Sequence, residues 1–236
     1  MALLTVTAAK GAPGATTTAT LLAALWPRSC VLVDADPTGG DLALRLPAAD
    51  GRPLDRERGL LSLLPSARRG LVPGMVLQHT QEALGGQLVL AGLAGPEQAL
   101  AVSPLWPSLA TGFAALPEHD VVVDAGAVHG RSAHLALVER SAAVLWVYRP
   151  TAWSVVHTRQ RLEALAEHVA EAPLRVGIVC VADARQAGDA EAAAATLTGD
   201  WRWVTDYGTI AADPKGVVMF EGGFSCPSTT PVCRAW

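Results

Sequence analysis

Six largely apolar runs recur along the chain, separated by more polar segments. Strands that are covered on both faces of a sheet are apolar throughout, so these runs predict the strands of a mostly parallel sheet. The runs are Leu3–Ala9, Cys30–Asp36, Gln87–Gly92, Asp120–Gly126, Ala142–Tyr148 and Arg175–Asp183.

Segments compatible with helices lie between these runs. In one of them Val155, Leu162 and Leu165 recur near helical spacing, as expected of a helix that packs on a sheet. The alternation of strands and helices predicts an α/β fold with a mainly parallel, twisted sheet flanked by helices on both faces. The helical segments are Thr16–Leu25, Pro96–Leu116, Ser132–Glu139, Ala152–Ala170 and Asp189–Leu197.

Stretches rich in proline and glycine predict the connections. Leu46–Pro53 and Ser66–Gly74 are predicted to be surface loops, and the alternate spacing of Trp201 and Trp203 is typical of a half-buried strand. The last residues contain two prolines and no helical period. We therefore expect one domain over residues 1–215 and an irregular tail over residues 216–236.

Composition narrows the class of protein. A chain of 236 residues with 50% hydrophobic residues is not a disordered protein. No stretch of 18 residues lacks a polar interruption and the amino terminus does not have the order of a signal peptide, so we expect a cytoplasmic protein without a transmembrane segment. A net charge of −4 provides no long-range attraction for nucleic acid, which is not an expected partner.

The cysteines and histidines predict no metal site. Cys30 and Cys180 lie in apolar runs and are expected to be buried, whereas Cys226 and Cys233 lie in the predicted tail without an accompanying histidine. His129 and His134 follow an aspartate at a strand end, and a surface position is expected for both.

A glycine-containing loop joins the first predicted strand to the first helix. The phosphate-binding pattern G-x-x-x-x-G-K-[ST] requires Gly at position 9 and Lys at position 15, but Ala9 and Ala15 stand there. The loop keeps two glycines, two threonines that open the helix, and one lysine five residues upstream of the expected position. These residues are Gly11, Gly14, Thr16, Thr17 and Lys10.

Aspartates end two further strands of the predicted sheet. Asp34 and Asp36 end the second run, and Asp124 follows the three valines Val121–Val123 of the fourth run. Ligands of open parallel sheets bind beyond the carboxyl ends of the strands, where a carboxylate can meet Mg²⁺ beside phosphates. An aspartate at a strand end can also simply cap a turn.

Three segments together resemble the signatures of the ParA/MinD family of deviant Walker A ATPases. They are KGAPGATT (Lys10–Thr17), VLVDADPTGGDLA (Val31–Ala43) and VVVDAG (Val121–Gly126), and the resemblance extends to about Ala184. It implies a P-loop NTPase fold that binds ATP with Mg²⁺ between the two subunits of a homodimer.

The resemblance also implies roles for individual residues. Lys10 would reach the partner's phosphates across the dimer, and Asp34 would position the attacking water. Thr16 and Asp124 would hold Mg²⁺, and Thr17 would contact a phosphate. The nucleotide-binding loop would comprise Lys10, Gly11, Ala12, Pro13, Gly14, Ala15, Thr16 and Thr17.

The loop departs from the family pattern at three positions. Ala15 replaces the second lysine, Ala12 replaces a glycine, and Pro13 removes one backbone donor. Loss of a cation at the phosphates predicts slow or absent hydrolysis. Ala182 and Asp183 stand where the family has an asparagine that contacts the base.

These observations leave three functional hypotheses. The first is an ATP-dependent, dimerising positional or regulatory switch with weak or no hydrolysis, similar in kind to the CpaE/TadZ proteins that organise pilus or secretion machinery. The second is a nucleotide-independent pseudo-ATPase scaffold for a pilus, secretion or cell-organisation complex. The third is a DNA-partitioning ATPase, which the acidic composition disfavours.

Overall fold

The computed structural model describes residues 1–11, 14–171 and 174–221, and only the backbone of residues 167–171 and 218–221. Its strands are β1 (Leu3–Ala8), β2 (Cys30–Asp34), β3 (Gln81–Glu82), β4 (Leu88–Leu90), β5 (Asp120–Ala127), β6 (Ala143–Tyr148), β7 (Arg175–Ala182) and β8 (Val204–Ala211).

The strands form one sheet in the order β3-β4-β2-β5-β1-β6-β7-β8. Every neighbouring pair runs parallel except β3 and β4, which are antiparallel. The predicted mainly parallel sheet is therefore confirmed.

Helices cover both faces of this sheet, as predicted. They are α1 (Ala15–Ala24), α2 (Leu42–Arg45), α3 (Leu60–Arg69), α4 (Pro96–Val102), α5 (Trp106–Ala114), α6 (Leu135–Arg140), α7 (Ala152–Glu171), α8 (Ala187–Gly199) and α9 (Pro214–Glu221). None of those in the described ranges is long and apolar enough to cross a lipid bilayer.

Two apolar cores lie on opposite faces of the sheet. Successive side chains of a strand point to opposite faces, so Val33 of β2 enters the core that contains Trp106 of α5, whereas Leu32 enters the core that contains Ala19 of α1. Burial on both faces explains why the strands are continuous apolar runs.

The centre of the sheet is a topological switch point. From β1 the chain passes through α1 to β2 on one side, and from β5 it passes through α6 to β6 on the other side. Connections that leave in opposite directions open a crevice at the carboxyl ends of β1 and β5. The candidate loop and Asp124 both lie there.

Local predictions based on proline and glycine were less accurate. The predicted loop Ser66–Gly74 is wrong at its start, because α3 continues to Arg69 and Ser66 is buried in it. The buried face formed by Leu63 and Ala67 maintains the helix although Pro65 lies inside it. The segment Pro96–Leu116 is not one helix, since a short 3₁₀ turn separates α4 from α5.

Other differences concern single residues and the carboxyl terminus. Trp201 and Trp203 precede β8 instead of lying in a strand, and their ring centroids are 5.9 Å apart. Helix α9 occupies the first residues of the predicted irregular tail, to Glu221. Residues 222–236, with Cys226 and Cys233, lie outside the described residues. Cys30 and Cys180 are buried, as predicted.

Candidate functional site

The loop between β1 and α1 adopts the backbone conformation that its glycines allow. Gly11 has φ of 67° and Gly14 has φ of 98°, both in the left-handed region that favours glycine. Helix α1 begins directly after Gly14, and the amides of its first turn have no partners within the helix. Ala12 and Pro13, which were assigned to the nucleotide-binding loop, lie outside the described residues.

Thr16 and Asp124 meet at the amino terminus of α1. Strand pairing places Asp124 of β5 beside Val6 of β1, so its carboxylate lies at the start of the loop. The Thr16 side chain lies beside this carboxylate, and the Gly126 amide donates to Asp124 Oδ1 at 3.2 Å. Burial raises the pKa of Asp124, although Thr16 and the Gly126 amide oppose the shift.

Thr16 and Asp124 together fit the protein part of a magnesium site. Mg²⁺ typically takes few protein oxygens and keeps water and substrate phosphate as its other ligands. A hydroxyl and a carboxylate that converge at a helix amino terminus are such a donor set. Among the described residues, no three His, Cys, Asp or Glu side chains cluster to hold a metal by themselves.

Asp34 lies next to Asp124 but faces into the protein. It is 0% exposed, its Oδ2 accepts a hydrogen bond from the Leu42 amide at 2.9 Å, and its Oδ1 accepts one from the Asp36 amide at 3.4 Å. A Cβ on Gly40 would lie 2.5 Å from Asp34 Oδ2, so only glycine fits there. Burial, followed by the charge of Asp124, raises the pKa of Asp34 to about 7.

These contacts make Asp34 the anchor of the loop that follows β2. In this conformation the Asp34 carboxylate has no exposed surface. The water-positioning role expected of Asp34 stays a prediction.

Asp36, two residues further along the chain, is partly exposed, and no role was predicted for it from the sequence. Its side chain is half-buried and lies against the backbone of Gly126, where a Cβ would overlap the Asp36 carboxylate. Its Oδ1 accepts hydrogen bonds from the amide and hydroxyl of Thr38, at 2.8 and 2.7 Å. The sequence did contain a signal for Asp36, because the segment DAD (Asp34–Asp36) has a second aspartate just after the end of the strand.

Lys10 lies at the exposed rim of the loop. It lines a cavity of about 600 Å³ together with Arg149, which follows β6, and Trp153 and His157 of α7. Among the described residues no ion pair is recorded for Lys10, so its ammonium is available at the surface. This position is compatible with a role towards a second subunit.

Position 15 supplies no cation. Ala15 is 0% exposed and belongs to the apolar core under α1. Two arginines that the sequence analysis missed lie near the loop instead. Arg149 also lines a second cavity of about 300 Å³ with Gly14 and Thr17, and Arg45 Nη1 lies 3.5 Å from Thr17 Oγ1.

The remaining predicted residues have structural contacts. Asp183 caps the turn after β7, because its Oδ1 accepts a hydrogen bond from the Arg185 amide at 2.8 Å. The surface position predicted for His134 is wrong: it is buried, with Nε2 3.0 Å from the carbonyl oxygen of Ala125 and its ring against Trp106. His129 is exposed, as predicted.

Several solved structures share this architecture. A ParA family ATPase from Chlorobium tepidum matches with a TM-score of 0.74 at 16% identity, covering 93% of this chain and 88% of that chain. The ATP complex of a Cyanothece McdA variant gives 0.71 at 17% identity, covering 94% and 88%. The cell division ATPase MinD of Pyrococcus furiosus gives 0.69 at 20% identity, covering 98% and 93%.

Sequence comparison adds no closer relationship, since no family model and no curated protein matches the chain. Identities of this size establish shared architecture, and function depends on the site that an architecture carries. The chain therefore has the fold of the ParA/MinD-type P-loop ATPases.

Proposed function

We propose that this protein binds ATP with Mg²⁺ and dimerises in response, acting as a positional or regulatory switch with weak or no ATP hydrolysis. The observation that carries the proposal is the approach of the Thr16 side chain to the Asp124 carboxylate at the amino terminus of α1. A helix amino terminus and a left-handed glycine loop attract an anion, and the hydroxyl–carboxylate pair suits the cation that accompanies it.

Each group would have a distinct part in binding. Thr16 and Asp124 would hold Mg²⁺, which when bound neutralises phosphate charge. Thr17 and the first amides of α1 would contact the phosphates. The second cavity, which lies between α1 and α9 and is lined by Leu21, Val181 and Val217, offers an apolar surface for a base.

The absence of a cation at position 15 argues for slow hydrolysis. Phosphoryl transfer depends on positioned charge, and losing one cation from the transition state costs about 3 kcal/mol, or roughly a hundredfold in rate. We assign the water-facing carboxylate to Asp36 and the anchoring of its loop to Asp34. Residual hydrolysis would then depend on Asp36.

The surface around Lys10 suits dimerisation. Trp153 is 70% exposed and Val156 is 51% exposed on the first turns of α7, beside the cavity that Lys10 lines. Exposed aromatic and aliphatic side chains next to a cation are typical of a protein interface. A second copy would bring its Lys10 towards the phosphates on this chain.

The experiment that tests the proposal is calorimetric titration of the protein with ATP, with and without Mg²⁺, combined with light scattering to follow mass. We expect saturable binding that strengthens with Mg²⁺ and a shift from monomer to dimer. Heat of dilution alone and an unchanged mass would overturn the switch.

Such a result would leave the nucleotide-independent scaffold, which the buried Ala15 also favours. A partner from a pilus or secretion system is a further part of this proposal, supported only by the analogy with CpaE/TadZ proteins, whose phosphate-binding loops also depart from the family pattern. DNA partitioning would require a basic surface, against which the net charge of −4 argues.

A further inference from the structure

The phosphate cradle, by which we mean Gly11, Gly14 and the first turn of α1, has a deficit of positive charge. Ala15 is buried in apolar surroundings, and Lys10 lies at the exposed rim. Asp36 and Asp124 place carboxyl groups at the same edge of the sheet. A polyphosphate would meet net repulsion here unless another cation from this chain reached it.

Arg45 is held beside this cradle by its backbone. Arg45 is the last residue of α2, and its amide donates a hydrogen bond to the Asp41 carbonyl oxygen at 3.0 Å. Leu42, the first residue of α2, donates its amide to the buried Asp34. Leu42 and Ala43 are buried in the core that also contains α1. The short helix is therefore fixed relative to α1 and the aspartates.

The guanidinium of Arg45 points at the amino-terminal turn of α1. Its Nη1 lies 3.5 Å from Thr17 Oγ1, at the long end of the hydrogen-bond range, and its charge acts on Asp124. Its Nε lies 4.0 Å from Asp41 Oδ2, and the side chain is 35% exposed. The guanidinium thus lies next to Thr17, and its charge reaches Asp124, the two residues proposed to contact phosphate and Mg²⁺.

We propose that Arg45 is a phosphate-binding residue of this site, which holds a nucleotide phosphate beside Thr17 and supplies in cis the charge that position 15 lacks. A guanidinium is always protonated and presents a planar set of donors that matches phosphate oxygens. A polyphosphate carries more negative charge than a carboxylate such as that of Asp41, so a bound polyphosphate competes well for the guanidinium. The inference rests on the proposed nucleotide-binding function.

The test compares Arg45→Gln with the wild-type protein by calorimetric titration with ATP, ADP and adenosine in the presence of Mg²⁺. Loss of one charge-assisted contact predicts about tenfold to a hundredfold weaker binding of ATP. Binding of adenosine, which has no phosphate, should not change. Arg45→Lys should restore part of the affinity because it keeps the charge and loses the planar donors.

Controls separate this effect from general changes in charge or stability. Arg52→Gln removes an arginine from an exposed loop outside the cradle and should bind ATP as the wild type does. The unfolding temperature of each variant reports its folding. If Arg45→Gln is less stable than the wild type, Arg45→Met, which keeps the apolar stem of the side chain, replaces it.

The outcomes are distinguishable. If the wild type binds ATP and folded Arg45→Gln binds it equally well, the role of Arg45 is overturned and nucleotide binding stands. If Arg149→Gln loses ATP affinity while Arg45→Gln keeps it, the missing cation is Arg149 and the proposal is also overturned. If the wild type binds neither nucleotide, both proposals fail together.

Discussion

The buried carboxyl of Asp34 predicts an unusual dependence of stability on pH. Asp34→Asn removes the ionisable group while it retains one carbonyl oxygen that can accept a hydrogen bond from the Leu42 amide. In the wild-type protein, burial raises the pKa of Asp34 from 3.8 to about 7. The folded state therefore keeps a proton that the unfolded state has already lost at pH 5 or 6.

The sign of the effect follows from this difference. Between the unfolded and folded pKa values the folded state binds more protons, so the free energy of unfolding falls as pH rises. The slope is about 1.4 kcal/mol per pH unit, and a rise from 3.8 to about 7 amounts to roughly 4 kcal/mol by pH 7. Below pH 4 the penalty is absent.

Urea unfolding of the wild type and Asp34→Asn at intervals from pH 4.5 to 7.5 measures this effect. The difference between their free energies of unfolding should move in favour of Asp34→Asn as pH rises, by about 3 kcal/mol over this range. Asp124, whose pKa is also raised by burial, remains in both proteins. Asp189→Asn, in an exposed position of α8, is the control and should parallel the wild type. Parallel curves for the wild type and Asp34→Asn would refute the reasoning.

Three substitutions test the rest of the site. Lys10→Ala should abolish ATP-dependent dimerisation, measured by light scattering, because it removes the cation at the exposed rim; a dimer that still forms would assign that contact elsewhere. Gly126→Ala should lower the free energy of unfolding by about 1–3 kcal/mol, because φ of Gly126 is 57° and a Cβ would overlap the Asp36 carboxylate. Gly85→Ala is the control: φ of Gly85 is 87° but the space around it is open, so this variant should show only the effect of backbone strain. Thr16→Val should remove the Mg²⁺ dependence of ATP binding in calorimetry, and an unchanged dependence would exclude this hydroxyl from the metal site.

Much of the fold could be predicted because the sheet is buried on both faces. Runs such as Asp120–Gly126 carry that burial in consecutive residues, and the observed β5 matches it to within one residue. The failure at Ser66 has the opposite cause. Proline and glycine are local signals, and the tertiary packing of Leu63 and Ala67 outweighed them.

The candidate site divides in the same way. The loop and the strand-end aspartates were visible in the sequence because their neighbours along the chain define them. Which aspartate is buried and which is partly exposed was not visible, since this depends on the direction that the chain takes after β2. The glycines that enclose Asp34, Gly40 and Gly92, come from separate loops.

The sequence by itself determined that this protein is a parallel α/β protein with a glycine loop, a helix opened by threonines, and acidic strand ends. Only the tertiary structure decided that Asp34 is buried and bonded to the Leu42 amide, that Asp36 is partly exposed beside Gly126, and that Arg45 lies near Thr17. The physical reason is that hydrophobic pattern and turn chemistry act between near neighbours in the chain. Burial, charge and contact at the site depend on segments that folding brings together, such as α2 and α1.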